Sequence, residues 1–286
     1  MKVIVQPEDG VSPIVEAIKG AKKSIDIGIF RLDRGDIAKA LKGAVDRGVP
    51  VRTLIAHTNS GGEKRLRKLE KKLLETGATV ARTDDDLVRY HNKLMIIDKR
   101  ELYVLGFNYT SNDIKKSRSF GVVTKKRDLV REALKLFEAD LQRQPYTAGV
   151  NTFLVSPLNA RDRLARFLKS ARKQLYVYDP KLTDPLMIRI LQERERSGVD
   201  VRILGRIAKR GAGLPAEKFP GKRLHVRAII QDGRKAFVGS QSLRRLELDG
   251  RREVGVIVMD PRIVGRLGEI FERDWALTGR AKAKDL

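Results

Sequence analysis

Cysteine is absent from the 286 residues. That excludes disulfides, thiolate metal sites and a cysteine nucleophile, and a reducing compartment, the cytoplasm, is the expected setting. Histidine is nearly as scarce, with three copies. The remaining carboxylates show no recognisable ligand spacing, so no metal is expected. No phosphate-cradling G-x-x-x-x-G-K-[ST] loop occurs, and no cofactor is implied. No apolar stretch approaches a membrane span, and Val3-Ile4-Val5, soon followed by Asp9, is too short for the centre of a secretory signal. Aromatic residues make up 6% of the chain, with one tryptophan, Trp275.

Positive charge is abundant: 60 Lys+Arg stand against 36 Asp+Glu, net +24. Such a surface attracts polyanions, either nucleic acid or an anionic membrane face. Charge alone names neither, and it also serves solubility. Strand signals at Lys2–Val5, Ser24–Phe30 and Val49–Ile55 alternate with helical spacing at Val11–Ala21 and Asp36–Arg47, which is α/β patterning. A very basic helix is expected over Glu63–Thr76, with Leu66, Leu69, Leu73 and Leu74 as its apolar stripe and its cations outward.

The chain repeats itself. Asp26-Ile27 and the run Arg47 to Arg52 correspond to Tyr176-Val177 and the run Ser197 to Arg202. At a second constant spacing His91 pairs with His225, Asp98 with Asp232, Arg118 with Arg252, Gly121 with Gly255, and Phe137-Glu138 with Phe271-Glu272. The change of spacing falls between Arg52 and His91, where the basic helix gives way in the second half to a loop, Gly211–Lys222. Halves of 1–145 and 146–286 are expected, joined near Gln144-Pro145-Tyr146.

The paired segments read His91-Asn92-Lys93-Leu94-Met95-Ile96-Ile97-Asp98, then Gly106-Phe107-Asn108, and His225-Val226-Arg227-Ala228-Ile229-Ile230-Gln231-Asp232, then Gly239-Ser240-Gln241-Ser242. The sequence resembles the phospholipase D superfamily, whose motif H-x-K-x4-D followed by G-S-x-N usually occurs twice. The resemblance spans the whole chain as a duplicated unit, with motifs at 91–108 and 225–242. It implies two tandem α/β halves, each a mixed sheet flanked by helices and related by a pseudo-twofold axis, with one active site between them. A monomer suffices for such a site. The departures are Leu105-Gly106 for Gly-Ser in the first copy, and Arg227 for lysine and Ser242 for asparagine in the second. Arginine keeps the cation and grips phosphate with two parallel hydrogen bonds.

The residue types fit this chemistry independently. Strand alternation puts His91 and Lys93 on one face, and likewise His225 and Arg227. Two imidazoles and two cations converging on one phosphate, with Asn108 and Ser242 as further donors, stabilise five-coordinate phosphorus. One neutral imidazole attacks to give a phosphohistidine while the other, protonated, protonates the leaving alkoxide. Asp98 and Asp232 are expected to anchor turns, and His57 to be a solvated loop residue.

In the family a downstream carboxylate often orients a catalytic histidine. Here Glu253 follows His225, and the same step from His91 lands on Ser119. The expectation is therefore that Glu253 holds His225 as the general acid and leaves His91 as the nucleophile without an anchor. Family members cleave nucleic acid, hydrolyse phospholipid or transfer phosphatidyl groups. The basic helix and the net charge favour a metal-independent nuclease. The alternatives are a phospholipase D or cardiolipin-synthase-like phosphatidyltransferase acting on anionic phospholipid, and a non-catalytic polyanion-binding protein.

Overall fold

The structure, a computed structural model, describes residues 1–58, 62–209 and 213–279. Residues 59–61 beside His57 and 211–212 of the Gly211–Lys222 loop lie outside the described residues. The first round of elements is β1 (Lys2–Gln6), α1 (Ser12–Gly20), β2 (Ile25–Ile29), α2 (Gly35–Asp46), β3 (Val51–Ile55), α3 (Glu63–Leu74), β4 (Thr79–Arg82), β5 (Arg89–Tyr90), β6 (Leu94–Ile97), β7 (Glu101–Leu105), α4 (Ser111–Lys116), β8 (Ser117–Thr124) and α5 (Arg127–Leu141). The second is β9 (Phe153–Ser156), α6 (Ala160–Lys169), β10 (Gln174–Leu182), α7 (Pro185–Arg196), β11 (Asp200–Ile207), β12 (Ala216–Glu217), β13 (Arg223–Leu224), β14 (Ala228–Gln231), β15 (Lys235–Gly239), α8 (Arg245–Asp249), β16 (Arg251–Val258) and α9 (Pro261–Ala276). Among the described residues the two rounds differ in kind only where α3 and β4 face β12.

Each round folds into a mixed sheet, β1-β8-β7-β6-β2-β3-β4 in the first and β12-β11-β10-β14-β15-β16 in the second, with β9 beside β16. One core holds the inner faces of both sheets together with α5 and α9, and Trp275 packs there. The outer faces are covered by α1, α2 and α3 in the first half and by α6 and α7 in the second. Two layers of helix and two of sheet around a shared helical middle account for the fully buried β2, whose sequence is apolar except for Asp26 and Gly28.

Helix α3 buries Leu66, Leu69 and Leu73, but Leu74 is 56% exposed and lies off the stripe. A fourth leucine immediately after the third is turned some 100° around the helix, away from the sheet. Asp98 and Asp232 do anchor turns. Each has φ near +54° at the head of its hairpin and accepts from the three backbone N–H groups that lead into β2 or β10: Lys22, Lys23 and Ser24 for Asp98, Arg172, Lys173 and Gln174 for Asp232. His57 is half-buried, with its backbone N–H held by Thr83 Oγ1.

The halves exchange short strands. β5 pairs in parallel with β16 of the second half, and β13 with β8 of the first. The residue after each exchanged strand is a motif histidine, so His91 N–H donates to the Arg252 carbonyl at 2.9 Å and His225 N–H to the Arg118 carbonyl at 3.1 Å. Those same arginines reach across the interface with their side chains. Arg118 donates to Asp274 on α9 at 3.1 Å, and Arg252 to Asp140 on α5 at 3.0 Å.

Burial pushes the Asp140 carboxyl up to about 6, against the pull of Arg252. Arg252→Met therefore leaves an unpaired buried carboxylate and should cost roughly 3–5 kcal/mol of stability near neutral pH. Removing Arg252 raises the Asp140 pKa further, so the loss should shrink as pH falls from that higher pKa toward about 6 and Asp140 takes up a proton, and should level off below about 6. Urea unfolding at pH 5 and pH 8, with and without Asp140→Asn to remove the orphaned charge, measures it. An equal loss at both pH values that Asp140→Asn does not relieve contradicts the pairing.

Candidate active site

The strand exchange delivers both motif histidines to one cavity of about 750 Å³. Its walls include Phe30, Arg31, Arg65, Lys68, Lys72 and Arg89 from the first half, together with Asn108 and Asp113, and Arg223 with His225 from the second. The inserted helix α3 thus faces the histidines with Arg65, Lys68 and Lys72, and Lys72 is tied by its Nζ to the Asp33 carbonyl at 3.1 Å. Arg67, on another face, pairs instead with Glu63.

His91 is 8% exposed, and its ring lies edge-on to Phe30 with centroids 4.4 Å apart. Nδ1 is 2.9 Å from Glu253 Oε2 and 3.0 Å from Lys93 Nζ, which is also 3.2 Å from Nε2. A ring nitrogen cannot serve an acceptor and a donor at once. With the proton on Nδ1 donated to Glu253, the lone pair is left on Nε2, where Lys93 can donate to it, and the approach of Lys93 to Nδ1 is then a close contact and not a hydrogen bond. Lys93 also donates to the His91 carbonyl at 2.6 Å. Burial pulls the Lys93 ammonium down to about 7 against the opposing charge of Glu253. Burial also lowers His91 well below the usual imidazole range, with Lys93 and Arg227 adding to it.

Glu253 therefore belongs to His91, which corrects the expectation that it orients His225. Glu253 comes from β16, the strand to which the His91 segment is stitched, so the carboxylate crosses the interface rather than serving its own half. His91 is anchored after all.

His225 is approached by a carboxylate that the motif comparison did not single out. Asp113 Oδ2 is 3.5 Å from its Nδ1, a charge contact rather than a formed hydrogen bond. Asp113 accepts from Asn108 N and Nδ2 at 2.8 and 2.7 Å and from Arg223 at 2.5 Å. Burial works against its ionisation, yet His225, Asn108 and Arg223 together hold it down to about 2. Its place in Thr110-Ser111-Asn112-Asp113, where Thr110 caps α4, reads from sequence as ordinary capping. The available signal was a carboxylate soon after Asn108 in the half where Ser119 replaces the expected acid. Burial lowers His225 as well, with Arg227 next, while Asp113 opposes them.

Arg227 takes the place of Lys93 in the second motif, donating from NH1 to the His225 carbonyl at 2.9 Å. Its Nε donates to Ser242 Oγ at 3.2 Å. Ser242 is 1% exposed and, like Lys93 and Arg227, is not among the residues that line the cavity. Its short hydroxyl holds the long guanidinium. Asn108 does line the cavity, with its amide N–H₂ turned toward Asp113. Among the described residues no group of three or more His, Asp or Glu is placed to hold a metal ion.

Residues 14–141 match the family model described as a cardiolipin synthase, PLD-like domain. The chain is 28% identical over 131 residues, 46% of its length, to the mitochondrial cardiolipin hydrolase of Homo sapiens, and it spans about half the length of that relative. Two solved structures share its fold over nearly all of it. A polyphosphate kinase from Porphyromonas gingivalis superposes with a TM-score of 0.77 at 17% identity, covering 95% of this chain and 49% of that one. Phosphatidylserine synthase from Haemophilus influenzae superposes with 0.72 at 11%, covering 96% and 86%. Residues 14–141 thus carry a phospholipase D-like domain, and the duplicated mixed sheets with a second H-x-[KR] segment at the same cavity extend the likeness in fold over the rest of the chain.

Proposed function

We propose that the protein is a metal-independent phosphodiesterase that works through a phosphohistidine, with nucleic acid as its favoured substrate. The observation that carries this reading is the meeting of His91 and His225 in one cation-walled cavity. Glu253 fixes the His91 proton on Nδ1, so Nε2 is free to attack phosphorus once a phosphate oxygen draws Lys93 away. The phosphoimidazolium then formed is cationic, and Glu253 balances it. Burial and Arg227 hold His225 low, and Asp113 opposes them. A bound phosphate adds a second negative charge that favours the imidazolium, which suits His225 to protonate the leaving oxygen and then to accept a proton from the incoming water. Lys93 and Arg227 neutralise the charge on the equatorial oxygens.

Nucleic acid is favoured because three cations of α3 enter the cavity in the company of Arg31, Arg89 and Arg223. Phospholipid is the second reading, supported by the phosphatidyl chemistry in the names of the similar proteins. Among the described residues the large exposed apolar side chains include no aromatic, which gives little for docking on a membrane. No described helix is long and apolar enough to cross one.

Purified protein incubated in chelator with single- and double-stranded DNA, RNA and phosphatidyl lipid vesicles tests the choice, the expected result being cleavage of nucleic acid. For that substrate, Arg65→Gln, Lys68→Gln and Lys72→Gln together should reduce the slope of log K against log [salt] by roughly 2, since each neutralised phosphate releases condensed counterions. Cleavage of lipid alone reverses the substrate. Binding without turnover that survives loss of either histidine makes the protein a polyanion binder.

A further inference from the structure

The cavity beside His91 carries a cation that its surroundings leave unpaired. By the internal repeat Arg89 in β5 corresponds to Arg223 in β13, and each is the exchanged-strand residue just ahead of its motif histidine. Arg223 is neutralised by Asp113 at 2.5 Å. The counterpart of Asp113 is Glu247, but its Oε1 is taken by Arg244 at 3.1 Å and Arg251 at 3.0 Å. Among the described residues Arg89 has no ion pair within 4.0 Å, and its Nε is buried without a hydrogen-bond partner.

Like charges surround it. Arg251 is its direct neighbour across the β5–β16 ladder, and the guanidinium groups of Arg31 and Arg89 lie over the Phe30 ring, 5.3 and 5.8 Å from its centroid. Burial lowers the basicity of Arg89, and Arg251 and Arg31 lower it further, while Glu253 and Glu247 pull the other way. Arg31, Arg89, Phe30 and His91 all line the same cavity. A guanidinium without an ion pair, on the cavity wall with Arg31 near the same Phe30 ring, makes a site suited to an anion, and the planar fork of arginine fits a phosphate.

We propose that Arg89 and Arg31 form a second phosphate subsite beside the catalytic histidines, which takes the phosphate adjacent to the one being cleaved. This rests on the phosphodiesterase reading and deepens it: the preferred substrate carries two phosphates one linker apart. A polynucleotide has that spacing, and so does a glycerol-bridged bisphosphatidyl lipid.

The test compares kcat/KM for matched substrates in two arms. One arm uses a dinucleoside monophosphate with and without an added terminal phosphate, and the other uses vesicles of cardiolipin against phosphatidylglycerol. Wild-type protein should favour the two-phosphate member by at least ten-fold in the arm that holds the natural substrate class. Arg89→Gln should cut that ratio by ten-fold or more, Arg31→Gln should cut it less, and Arg89→Lys should restore part of it. Cleavage without preference in both arms overturns the subsite and leaves the phosphodiesterase reading standing, as does a preference that Arg89→Gln and Arg31→Gln do not alter. No cleavage in either arm overturns both.

Discussion

Alanine at position 91 should reduce turnover on the order of 10⁴-fold or more, because it removes the nucleophile and with it the covalent route. Alanine at position 225 should cost roughly 10²–10⁴-fold on a substrate with an alkoxide leaving group, the usual worth of a positioned general acid. It should cost far less on an aryl phosphodiester, whose leaving group departs without a proton. Both rates should persist in chelator. Steady-state kinetics on the two substrates separates the roles. Equal losses on both substrates for both variants would remove the division of labour, and activity abolished by chelator and restored by a divalent ion would remove the metal-independent mechanism.

Glu253→Gln should lower kcat by roughly 10²–10³-fold with little change in folding, since glutamine keeps an acceptor for Nδ1–H but not the charge that balances a phosphoimidazolium. The pH profile gives the sign. His91 is held low by burial and by the cations around it, and it attacks only when neutral, so the acidic limb of kcat/KM marks its deprotonation. A carboxylate beside an imidazole favours the protonated form, and its removal lowers the pKa further. The acidic limb should therefore move to lower pH in Glu253→Gln, on a reduced plateau. Were Glu253 orienting His225, the basic limb would move instead, because that limb marks loss of the proton from the general acid.

The fold was legible in the sequence because duplication repeats every physical signal. Strand and helix periods recur in order, and two H-x-[KR] segments in register are far more specific than either alone. Asp98 and Asp232 were readable as turn anchors because a carboxylate at the end of a buried strand has backbone donors within reach. The partner of Glu253 was not legible. A count along the chain assigns a carboxylate to its own half, whereas the exchange of β5 and β13 hands each histidine to the other half's last strand. Asp113 escaped notice because it sits where the second half has Glu247, a residue diverted to Arg244 and Arg251. The pseudo-twofold thus holds for backbone and histidines and fails for the groups that orient them. For α3, sequence separates buried leucines from outward cations. Only the tertiary fold shows that Arg65, Lys68 and Lys72 turn toward the histidines.

The central claim is that two histidines from opposite halves serve one phosphate, with His91 as the nucleophile. It is tested most directly by rapid quenching of the enzyme during turnover of an aryl phosphodiester. Peptide mapping follows by mass spectrometry under alkaline conditions, which preserve phosphohistidine. The account predicts a phosphorylated adduct on His91, present in His225→Ala and absent in His91→Ala. An adduct on His225 in the wild-type protein, or turnover that survives His91→Ala, would contradict it.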